Sequence, residues 1–175
     1  MNFISPSVIP MMPGCLGLNL AGLSIPINIE EIIKINGIVI DESERDDDAI
    51  AISMGNTIWL NIKEINSDNA KRRQVLTYAL AKLMISKNVL FLSGLIDEHR
   101  INSDDLRSDL FNNPIRNTVC SVWTSEVLMP WNFMIKELRR MEEMEPSRVL
   151  NILAKSFDVP MSVVEQRLMY LEWRR

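Results

Sequence analysis

The clearest periodic pattern in the chain runs from Lys71 to Lys87, where apolar residues recur at Val75, Leu76, Ala79, Leu80, Leu83 and Met84. Spacings of one and three put them on one stripe of an α-helix. Ser67 or Asp68 can cap its start, and the basic triplet Lys71-Arg72-Arg73 enters the first turn from outside. Tyr78 and Lys82, four residues apart, are neighbours on one face, a phenol ring packed against a lysine stem. Upstream, Ala49 to Met54 and Thr57 to Ile62 predict a hairpin across Gly55-Asn56. Gly37 to Ile40 reads as a strand. Asn28 to Asn36 reads as a short helix, capped by Asn28, with Glu30 and Glu31 in its first turn and a stop at Gly37. Downstream, Val89 to Ile96 is apolar and fits a strand or a continuation of the helix. Asp97 to Asn113 is polar and predicts an exposed loop with a short helix near Ser103 to Phe111. Pro114 to Met129 predicts a second core helix, ended by Pro130, and Trp131 to Met144 a charged amphipathic one. Two helices hinged at Asp158-Val159-Pro160 fill Pro146 to Arg175.

Composition adds bounds. At 175 residues and 47% hydrophobic, the chain can bury a sizeable core. The pattern divides it into an uncharged arm at 1–25, a core at 26–145 and a C-terminal helical subdomain at 146–175. The arm carries no charged side chain before Glu30, and Pro6, Pro10, Pro13 and Pro26 keep it from forming a helix. Its apolar runs are too short to span a membrane, and no basic residue precedes them as in a secretory signal. It can lie across its own core or over the vacant cleft, or serve as a contact for a homo-oligomer or a partner. A net charge of −4 gives no general attraction to nucleic acid or to an anionic membrane. Two cysteines, Cys15 and Cys120, indicate no disulfide framework and suit a reducing cytoplasm, the location expected for this chain. The run Asp41 to Asp48 is acidic and reads as a solvated loop, or as a decoy for a basic partner surface. Eleven methionines point to adaptable core packing or a soft binding surface.

The order of these pieces resembles the ImmA/IrrE metallopeptidase-like family. There a hairpin ending in I-x-I-N leads into a helix with the pattern R-x-F-T-L-A-H-E-L-G-H. A helix ending in E-L-L-M-P and a small helical tail follow. The matching residues are Trp59-Leu60-Asn61-Ile62, Arg73-Gln74-Val75-Leu76-Thr77 and Thr124-Ser125-Glu126-Val127-Leu128-Met129-Pro130. The tail matches at Leu153-Ala154, Phe157, Val159, Val164 and Arg167-Leu168. The likeness covers roughly Pro26 to Leu171. It implies an α+β fold: a helix-rich zincin-like core with a small antiparallel or mixed sheet and a C-terminal helix-turn-helix-like pair.

The departure from that family carries the functional expectation. Its two zinc histidines and catalytic glutamate fall on Tyr78, Lys82 and Ala79. Zinc needs imidazole, thiolate or carboxylate ligands, and hydrolysis needs a base beside the bound water. A lysine ammonium has no lone pair to give, and alanine has no proton acceptor. The third ligand should lie near Asn117 to Val119, where there is no acid. The only histidine, His99, sits among charges in Asp97-Glu98-His99-Arg100, and the cysteines fit no zinc spacing. Cys120 falls on the apolar stripe of its helix and reads as core. No catalytic residue, metal ligand or cofactor is therefore expected. Lys82 must either pair inside the old cleft, where its ammonium fills the space of the lost cation, or snorkel to water.

A degenerate cleft at Tyr78, Ala79 and Lys82 implies a pseudoenzyme. The expected function is that of a non-catalytic, protein-binding regulator of phage or mobile-element origin, engaging a repressor, toxin or defence component. Its candidate contact residues are Tyr78, Lys82 and Trp131. The first alternative is a DNA-binding transcription regulator using Arg167, Arg174 and Arg175, although positive charge on the last helix is sparse for phosphate contacts. A hydrolase with a relocated site, and a toxin or structural protein acting through oligomerisation, are the further alternatives. No membrane partner is expected.

Overall fold

A computed structural model describes residues 24–46, 48–65, 68–89, 99–101 and 115–170. Over these residues the chain is a helix-rich α+β protein with seven helices and one small mixed sheet. Helix α1 (Ile29–Ile35) begins where expected: the Glu31 backbone N–H donates to Asn28 Oδ1 at 3.2 Å. It ends at Asn36, whose amide donates to the Ile32 carbonyl, and at Gly37, whose φ of +69° suits a residue without Cβ. Ile29, Ile32 and Ile33 point inward from it.

Strand β1 (Val39–Ser43) follows, then β2 (Ala51–Met54) and β3 (Thr57–Asn61), joined by the expected turn with Gly55 at φ +60°. The short helix α2 (Ile62–Ile65) leads into the long α3 (Asn69–Val89). Strand β4 (His99–Ile101) completes a sheet of order β1-β3-β2-β4. β1 runs parallel to β3, from Val39 opposite Thr57 to Ser43 opposite Asn61, while β2 is antiparallel to both β3 and β4.

Two expectations about loops are corrected. The acidic run does not begin as a solvated loop, because Asp41, Glu42 and Ser43 are drawn into the ladder with β3. His99 and Arg100 likewise belong to a strand, held by the pairing of Ile52 with Arg100 and Ser53 with His99. The anchor is Ile101, a fully buried residue whose carbonyl accepts from Ile50 N–H at 2.8 Å. The expected helix near Ser103 to Phe111 and the apolar stretch after Val89 lie outside the described residues, as does the arm up to Leu23.

The carboxy-terminal half is helical: α4 (Ile115–Leu128), α5 (Trp131–Arg140), α6 (Pro146–Phe157) and α7 (Met161–Tyr170). Asp158 closes α6 in the left-handed region, φ 51°, and Pro160 precedes α7. Buried apolar residues form two clusters. The first joins α1, the sheet, α3 and the first part of α4; the second begins at Leu128 and Met129 and holds α5, α6 and α7. The position 145 expected to separate core from tail thus falls inside the second cluster. α4 threads both, and every residue from Cys120 to Pro130 is buried. α3 is also enclosed on all sides between Arg73 and Leu83, where its sequence predicts one apolar stripe. Among the described residues, no helix is long and apolar enough to cross a membrane.

Candidate functional site

The first turn of α3 ties four elements together, which its reading as an outward-facing basic triplet does not anticipate. Asp68 caps the helix, accepting from Lys71 N–H at 3.0 Å. Lys71 Nζ donates to the Glu64 carbonyl of α2 at 2.7 Å. Arg72 donates to Glu30 of α1 at 3.0 Å and to Glu42 of β1 at 2.5 Å. Partial burial opposes its charge, but the two carboxylates outweigh that and raise its pKa. Arg73 turns inward, donating to the Phe157 carbonyl at 3.3 Å, with Asp158 Oδ2 at 3.7 Å. Its guanidinium thereby satisfies the negative end of α6. Burial lowers the Arg73 pKa and Asp158 partly restores it. Asn69 donates to the same Asp158 carboxylate.

One turn further on stand the residues of the expected cleft. Tyr78 and Ala79 are fully buried in the first cluster, and Lys82 is only 7% exposed. Lys82 Nζ stands 5.3 Å from the centroid of the Tyr78 ring, a cation–π distance set by their helical spacing of four. Lys82 therefore does not snorkel to water. Nor do Tyr78 and Lys82 offer a contact surface, which corrects their expected role in partner binding. Trp131 is 37% exposed at the start of α5, so the three candidates share no accessible face.

The zinc implied by the family resemblance meets an unsuitable donor set here. A phenol in an apolar layer, a methyl group and an ammonium occupy the positions concerned, and among the described residues no three His, Cys, Asp or Glu side chains converge. The surrounding layer is nonetheless polar in places. Thr77 Oγ1 donates to the Arg73 carbonyl at 2.7 Å and Ser125 Oγ to the Val122 carbonyl at 2.8 Å. Ser53 Oγ on β2, and Trp123 Nε1 and Thr124 Oγ1 on α4, are buried with no hydrogen-bond partner among the described residues. Cys120 is buried among them as expected of a core thiol. Cys15 lies outside the described residues.

A further buried cation is Arg167 of α7, with no exposed surface at all. Its Nη2 meets the Glu126 carboxylate of α4, and its Nε donates to the Met129 carbonyl at 3.1 Å. The other Glu126 oxygen accepts from the Trp131 N–H at 3.4 Å, where α5 begins. One ion pair thus joins α4, α5 and α7. Burial lowers the Arg167 pKa to about 10. The adjoining carboxylate favours the charged form, and a guanidinium at this site stays protonated around neutrality. Arg167 is consequently unavailable to a phosphate, which corrects its expected role as a DNA contact; Arg174 and Arg175 lie outside the described residues. The exposed stripe of α7 is Met161, Glu165 and Met169, which carries no positive charge.

Glu126 and Asn61, which the sequence offers only as matches to the family pattern, are structural residues. Asn61 is fully buried at the end of β3. Its Oδ1 accepts from Arg45 and Lys63 N–H and its amide donates to the Arg45 and Ala49 carbonyls, each at 3.2 Å. The available signal for Glu126 was a single carboxylate in the apolar run Val119 to Pro130, which must be paired if it is buried. No known protein family matches this chain, and no curated protein is significantly similar to it.

Proposed function

We propose that this chain is a non-catalytic protein-binding regulator, built on a zincin-like core whose metal centre has been replaced by packing. The observation that carries the proposal is the Lys82 ammonium over the Tyr78 ring, inside the layer where the resemblance would put a metal and its water. A cation already fills part of that space, and Ala79 offers no base beside it. Engagement of a partner must then use the surface. In keeping with the family likeness, that partner is a repressor, toxin or defence component encoded by or directed against a phage or other mobile element. The α6–α7 pair, helix-turn-helix-like in order, serves as a structural brace, since Arg167 of α7 is spent on Glu126 and the outer stripe of α7 is Met161, Glu165 and Met169. Metal content and turnover test this together. Protein purified with added zinc should retain substoichiometric metal and leave candidate repressor and antitoxin proteins intact while still associating with its partner. Stoichiometric zinc with cleavage that a chelator abolishes would overturn it.

A further inference from the structure

We infer that the open edge of β1 is a docking site for an extended, basic segment of a partner protein, taken up as an additional strand. The inference rests on the binding function proposed above and names its surface and the chemistry of its partner. Among the described residues, β1 has β3 on one side and no strand on the other. Val39 N–H donates to the Asn56 carbonyl at 2.8 Å, which fixes the alternation of a parallel ladder. Val39, Asp41 and Ser43 direct their backbone groups to β3, so the N–H and C=O of Ile40 and Glu42 face outward. An exposed strand edge of this kind is a template for another chain.

The side chains narrow the occupant. Val39 is 59% exposed, and Ile35, just before the strand, is 76% exposed. Val39 shares the outer face of the sheet with Asp41, which is exposed and has no ion-pair partner among the described residues. Glu42, on the opposite face, is already held by Arg72. Beyond the strand Glu44, Asp46 and Asp48 are exposed too, Asp46 paired with Lys63, so carboxylates gather where the edge ends. A second copy of this chain is a poor fit: antiparallel pairing of β1 with another β1 about its centre sets Asp41 against Asp41, and like charges directly opposite are destabilising. A segment with Lys or Arg beside Asp41 and an apolar residue beside Val39 satisfies both. Because strand side chains alternate, those two partner residues lie two apart.

The probe is the hexapeptide Lys-Thr-Val-Thr-Lys-Thr, titrated into the isotope-labelled full chain while amide resonances are followed. The expected result is saturable shifts at Ile40 and Glu42, with binding weakened by salt. Replacing both lysines by glutamate should abolish the shifts. N-methylating alternate peptide amides gives two further probes of identical charge. One should bind at least about tenfold more weakly and the other like the parent, because a strand pairs along one edge only. Asp41→Lys, an exposed substitution, should reverse the preference from the lysine to the glutamate peptide. Shifts elsewhere only, no shifts, or equal binding by both N-methylated peptides would overturn the proposal. If the edge fails while the chain still associates with a partner without cleaving it, the binding function stands. Cleavage of the partner would remove that function itself.

Discussion

Lys82 and Arg167 are buried cations in different halves of the molecule, and the two are held in different ways. Lys82 lies over the Tyr78 ring one helical turn away. Arg167 is clamped between the Glu126 carboxylate and the Met129 carbonyl, on a helix distant from it in sequence. The ring contact is local to α3, between two residues one helical turn apart. The clamp is tertiary, and each partner depends on the other to compensate the loss of water. One buried cation thus meets a ring on its own helix, while the other meets a carboxylate on a helix far from it in sequence.

Breaking the clamp is the strongest test. Arg167→Met should lower the unfolding free energy by roughly 3–5 kcal/mol in urea titrations, because Glu126 is left buried and uncompensated. Adding Glu126→Leu should recover most of that loss. If the double variant is no better than the single one, mutual compensation is the wrong account. Arg73→Met comes next. Removing its bonds to the end of α6 should cost roughly 1.5–3 kcal/mol and raise amide exchange around Phe157 and Asp158 more than elsewhere.

Lys82→Met keeps the volume and removes the charge, so its effect should stay within about 1.5 kcal/mol in either direction. A loss as large as that of Arg167→Met would erase the contrast and reveal an ionic role for Lys82. The smallest effect is a pH dependence at the end of α7. Burial raises the Tyr170 pKa, opposed by the 3.0 Å hydrogen bond from Gln166. An unfolded tyrosine ionises near 10.0, so above that pH the unfolded chain has lost a proton the folded chain keeps. Stability should therefore fall as pH rises past this value. Thermal melts between roughly pH 9 and 11 should show a shallower decline for Tyr170→Phe than for the parent chain.

Much of the element order is legible because its signals are local. Asn28 and Gly37 bracket α1, Gly55-Asn56 turns the hairpin, Pro130 separates α4 from α5, and Asp158 to Pro160 separates α6 from α7. The extension of β1 through Asp41 to Ser43 was not legible, because its hydrogen bonds are made to β3, across the hairpin. β4 was hidden for a related reason: a single buried isoleucine inside a polar run fixes it against β2. At the candidate site, the lack of ligand and base chemistry at Tyr78, Ala79 and Lys82 could be read directly from those residues. Their inaccessibility could not.

By itself the sequence determined several helix ends, the hairpin turn and which side chains could never bind zinc, since caps, turn residues and donor chemistry belong to the residues themselves. Only the tertiary structure decided which polar residues went inside. Arg73, Lys82, Glu126 and Arg167 look like surface residues until the elements that cover them are in place, because burying a charge is permitted or forbidden by whatever packs against it. The same assembly left the backbone of Ile40 and Glu42 facing outward: whether a strand lies at an edge is settled by which strands reach the sheet.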